Sequence, residues 1–68
     1  MNKIRIKKKN LVLAMLRADI NGKTLAEKAH ISAGTLSGIM NGRSCTRETA
    51  EKISSALEAE LSDLTKEA

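Results

Sequence analysis

The chain has 68 residues, of which 41% are hydrophobic and none is aromatic, with one cysteine, no proline and a net charge of +4. So short a chain makes one domain with a small core, since it buries only about 60% of the surface its unfolded form exposes; it is too apolar to be disordered, and no run approaches the roughly 18 uninterrupted apolar residues of a membrane span. The charge is polarised, with ten Lys and Arg against two acids in residues 1–47 and two against six in residues 48–68, which suits one face to a polyanion.

The opening "MNKIRIKKKN" alternates as a strand would over Lys3-Ile4-Arg5-Ile6-Lys7. Residues 1–9 are therefore either a basic arm, offering Lys3, Arg5, Lys7, Lys8 and Lys9 to a polyanion, or an edge strand that pairs with a second copy. The basic start and the apolar run after it are superficially like a signal peptide, but no small-residue cleavage site follows, and the segment is read as part of the mature protein. The domain proper is expected over residues 10–68, with its core beginning at Leu11.

Helix one is expected from an Asn10 cap to about Ile20, stopping at Asn21-Gly22. It is apolar nearly all round, so one face lacks cover. Helix two spans about Lys23–Ala29, with Leu25, Ala26 and Ala29 inward. After His30-Ile31-Ser32, helix three begins at a Ser32 hydroxyl cap and ends at Asn41-Gly42. Helix four starts at a Thr46 cap with Glu48 in its first turn and Ala50, Ile53 and Leu57 inward. A short helix over about Ser62–Lys66 brings Leu61 and Leu64 to the core. The fold class is all-α, with four to five helices.

Two short helices joined by a three-residue corner, with small residues at their contact, spell a helix-turn-helix whose second helix enters the DNA major groove. Ala26 is the close-contact residue, Ile31 the corner plug and Leu36 the anchor of the second helix. That second helix is bare on its remaining positions, where Ala33, Gly34, Thr35, Ser37 and Gly38 stand. Each glycine costs a helix roughly 1 kcal/mol relative to alanine; either these positions merely tolerate them, or close approach of the backbone to base edges accounts for them. Small hydroxyls and methyls then contact bases, and phosphate contacts and DNA shape do more of the work.

The runs "TLAEKAHISAGTLSGIMNG" and "TRETAEKISSALEAELSDL" resemble the Cro/repressor-type helix-turn-helix family of phage and bacterial transcriptional regulators. The resemblance covers about Leu11–Leu64. It implies a compact lambda-repressor-like domain that binds double-stranded DNA, usually as a homodimer, inserting the helix over 32–41 into the major groove. It departs from the family at His30, where glycine is common, and at Ala33, Gly34 and Ser37, where longer polar side chains are common. On this reading the base contacts come from Ala33, Gly34, Thr35, Ser37 and Gly38, and the phosphate contacts from Asn21, Lys23, Asn41, Arg43 and Arg47. The basic arm adds backbone or minor-groove contacts.

No paired carboxylates, nucleophile with base, phosphate loop or metal cluster stands at a usable spacing, so no enzyme activity, catalytic residue, metal, cofactor or small-molecule substrate is expected. Cys45 and the single His30 are too few for structural zinc, and one cysteine excludes an internal disulfide. A cytoplasmic, nucleoid-associated setting away from membranes follows. Two other readings stand beside this one: the antitoxin of a toxin–antitoxin pair, and a protein-interaction module that uses the acidic C-terminal third.

Overall fold

The computed structural model describes residues 3–66. Its elements in chain order are β1 (Lys3–Ile4), α1 (Lys8–Ala18), α2 (Gly22–Ala29), α3 (Ala33–Met40), β2 (Cys45–Thr46), α4 (Arg47–Leu57) and α5 (Leu61–Thr65). The fold is all-α apart from one two-residue antiparallel pairing, Lys3 opposite Thr46 and Ile4 opposite Cys45.

The core is aliphatic apart from Cys45. Ile6, Leu11, Leu25, Leu36, Ile39, Ile53, Leu57 and Leu64 meet at its centre. Ala26, Ala29 and Ala50 let α2 and α4 pack closely, which is the main helix–helix contact of the domain. α5 closes the other side by packing on α1 and α4.

The helix ends share one closure. Asp19, His30 and Glu58 each take the left-handed conformation, with φ of 58°, 58° and 53°, and Gly42 does the same at 99°. At each end the following residue bonds back five places: Ile20 N–H to Met15 O at 3.1 Å, Ile31 to Ala26 at 3.0 Å, Arg43 to Gly38 at 2.9 Å and Ala59 to Ser54 at 2.9 Å. This is the Schellman motif, which satisfies the last orphan carbonyls of a helix.

Five boundaries differ from the sequence expectation. α1 starts at Lys8 rather than after Asn10, because Asn10 is buried and its Nδ2 donates to the Lys66 carbonyl at 2.7 Å, tying α1 to the chain beyond α5. α1 stops at Asp19 rather than at Asn21-Gly22, since its closing bonds are complete two residues earlier. Asn21 instead begins the next helix, its Oδ1 accepting from Thr24 N–H at 2.8 Å, so that Gly22 is the first residue of α2. α5 begins one residue before Ser62 and ends at Thr65.

The N-terminal segment also differs. β1 pairs with β2 of its own chain. The core begins at Ile6 rather than Leu11: Ile6 is 1% exposed, and the next residue, Lys7, donates its backbone N–H to Leu64 O at 2.9 Å. Leu13 and Leu16 of α1 stay 51% and 71% exposed, so nothing in the described chain covers the apolar face of that helix.

Candidate nucleic-acid interface

The corner between α2 and α3 is built by His30. Its left-handed backbone turns the chain, Ile31 drops half-buried against the core, and Ser32 starts the new helix. A non-glycine residue in this conformation is uncommon, although histidine tolerates it better than most. Ser32 Oγ accepts the Thr35 N–H at 3.0 Å and donates to Thr35 Oγ1 at 2.8 Å. That leaves the Thr35 hydroxyl proton free to point outward, towards an acceptor.

Leu36 and Ile39 hold α3 down on the core, with exposures of 3% and 2%. Their spacing turns Ala33, Gly34, Thr35 and Ser37 out to solvent. A Cβ at Gly34 would meet only Ser32 Oγ, at 3.9 Å, so the backbone there is open to a docking surface. Gly38 is half-buried, and the cause is Arg43: a Cβ at Gly38 would lie 3.5 Å from Arg43 Cδ and 3.8 Å from its Nε.

Cations surround this face. The β1–β2 pairing brings Lys3 beside Thr46 and draws it into a cleft of about 220 Å³ with Gly34, Thr35, Gly38 and Arg43. Arg47 opens α4, where Thr46 Oγ1 caps Thr49 N–H at 3.2 Å. Its guanidinium pairs with Glu51 at 3.2 Å, but both side chains are more than half exposed. Such a pair is worth only about 0.3–0.5 kcal/mol, so it yields readily to a phosphate. Lys23 is exposed in the first turn of α2, and the backbone N–H groups there add a positive field. Burial pushes the Cys45 thiol above its ordinary value, against the opposing pull of Lys3, so Cys45 is a protonated filler beneath the cleft.

A family profile described as a Cro/C1-type HTH DNA-binding domain matches residues 5–66. The chain belongs to this family. No curated protein and no solved structure matches it. The Cro/C1-type match carries DNA binding with it, and it takes in Arg5 and Ile6, in keeping with their place in the fold rather than on a detached arm.

The Cro/C1-type fold gathers some of the sequence-singled residues and separates others. Ala33, Gly34, Thr35, Ser37 and Gly38 share α3; Asn41 is its C-cap, and Arg43 folds back on it. Asn21 is already engaged as a cap, which leaves its amide N–H groups to donate. The five basic residues of the N-terminal segment do not lie on one extended arm. Lys3 joins the cleft beside α3, Arg5 is exposed, and Lys7, Lys8 and Lys9 form the cap and first turn of α1. The part of Lys3 in this cleft was hidden because its pairing partner lies more than forty residues away. Among the described residues no group of His, Cys, Asp and Glu could hold a metal ion, and no helix is long and apolar enough to cross a membrane.

Proposed function

We propose that this domain is a sequence-specific transcriptional regulator of double-stranded DNA, a Cro/repressor-like protein of a phage or prophage that inserts α3 into the major groove. The observation that carries the reading is the exposed face of α3, whose only outward side chains are Ala33, Thr35 and Ser37, with Gly34 between them and cations on both flanks. A thin helix sits deep in the groove, and short hydroxyls and methyls then reach base edges. Asn21, Lys23, Asn41 and Arg47 hold the phosphates on either side. The protein acts in the cytoplasm on the nucleoid.

It works as a homodimer. Leu13 lines a groove of about 620 Å³ between α1 and the end of α4 with α5, whose lining also holds Arg17 and Lys28, Glu58 and Glu60, and the Lys66–Asp63 ion pair. A two-fold axis sets Arg17 and Lys28 of one copy against Glu58 and Glu60 of the next, the self-complementarity an isologous interface requires, and covers Leu13. Two reading helices one turn of DNA apart then match half-sites about 34–36 Å from centre to centre.

Selection of duplexes from a random pool, repeated at low and moderate salt, tests the reading. Enrichment of one site with two related halves, bound less tightly as salt rises, is the expected result. Salt-sensitive binding with no enriched sequence would remove specificity, and no binding at all would overturn the function.

A further inference from the structure

The bare face of α3 is roofed at its last turn by a side chain from outside the helix. After α3 the chain turns left-handed at Gly42 (φ 99°), and the Arg43 N–H returns to the Gly38 carbonyl at 2.9 Å. This closure brings the residue after the turn back against the last turn of the helix, so the Arg43 stem lies along Gly38. The glycine supplies the room. A methyl at position 38 would be in ordinary contact with Arg43 Cδ at 3.5 Å, and a longer side chain would occupy the path of the stem. Arg43 is exposed, and among the described residues its guanidinium has no hydrogen-bond or ion-pair partner.

We propose that Arg43 is the main sequence-reading residue of the domain, its stem seated on Gly38 and its guanidinium donating to O6 and N7 of a guanine in the major groove. The inference rests on α3 entering that groove. The sequence makes Arg43 a phosphate contact, and the geometry favours a base. A phosphate clamp needs only charge and reach, whereas Arg43 is laid back on a helix whose exposed positions carry nothing longer than threonine. The planar fork of arginine matches the two acceptors on the guanine edge, and bidentate arginine-to-guanine pairing is the commonest specific contact.

The test compares the wild-type protein with Arg43→Lys, which keeps the charge and loses the fork. Both are put through the random-pool selection, and affinity is then measured across salt on the selected duplex and on versions with each guanine replaced. The expected result is one guanine per half-site for which the wild type shows a preference and Arg43→Lys loses about tenfold or more of it, with salt slope and melting temperature unchanged. If Arg43→Lys keeps every base preference, Arg43 is a phosphate clamp and this proposal fails while the DNA-binding reading stands. If the wild-type protein enriches no site, both fail together.

Discussion

Replacing Gly34 with alanine should move stability and binding in opposite directions. Gly34 is the second residue of α3, exposed, with only Ser32 Oγ within 4 Å of a built Cβ, at 3.9 Å. The folded protein therefore accepts the methyl without a clash, and the helix gains roughly 1 kcal/mol of propensity. For a domain of this size that is about 4–8 °C in melting temperature. The chain has no aromatic residue to report unfolding, so the melt is followed by far-UV circular dichroism. On DNA the same methyl stands between the α3 backbone and the base edges, and an overpacked contact costs about 1–3 kcal/mol, roughly 5- to 150-fold in affinity. Titration of the selected duplex measures it. A variant that is more stable and binds at least as tightly would refute close approach, and one that melts lower would refute the exposed helical placement of Gly34.

Three further outcomes follow from the same structure. Ile6→Ala should cost about 2–5 kcal/mol, a large share of the roughly 3–10 kcal/mol such a domain holds, and a denaturant titration showing near wild-type stability would return residues 1–9 to a dispensable arm. His30→Gly should stabilise by about 0.5–1 kcal/mol, because glycine takes the φ of 58° without the penalty of roughly 1–2 kcal/mol on other residues but loses part of that gain to the unfolded chain; a lower melting temperature would mean the imidazole holds the corner. Lys23→Ala and Arg47→Ala should each weaken binding to all sequences alike and reduce the salt slope by about one unit. A change of preference at a single base with the slope intact would make the residue a base reader.

Much of the frame was legible because helix starts and stops are local chemistry. Ser32 and Thr46 cap α3 and α4 as hydroxyl residues do, the stop after α3 is at Asn41-Gly42, and the spacing of Ala50, Ile53 and Leu57 marks the buried face of α4. The ends of α1 were not legible. Its stop is an aspartate in a conformation usually given to glycine, and its start has no side-chain cap. Asn10 has the chemistry of a cap, and its partner, the Lys66 carbonyl, is visible only once α5 is packed. Ile6 was equally hidden: an isoleucine between two cations reads as an edge strand, and its burial goes with contacts far along the chain, such as the bond from Lys7 N–H to Leu64 O beside it. At the candidate interface the bare residues of α3 could be read off directly, but the seat of Arg43 on Gly38 comes from a closure bond, not from spacing.

Amide NMR of the isotope-labelled protein titrated with the selected duplex tests most directly whether α3 is the surface applied to DNA. The large shifts at saturation are expected to cluster at Ala33, Gly34, Thr35, Ser37 and Gly38, with Arg43, Arg47 and Lys23 around them, while the groove residues Glu58, Glu60 and Asp63 move little beyond any change that dimer formation makes without DNA. Large DNA-dependent shifts confined to α1 and α5, with Ala33–Gly38 unmoved, would contradict that role of α3.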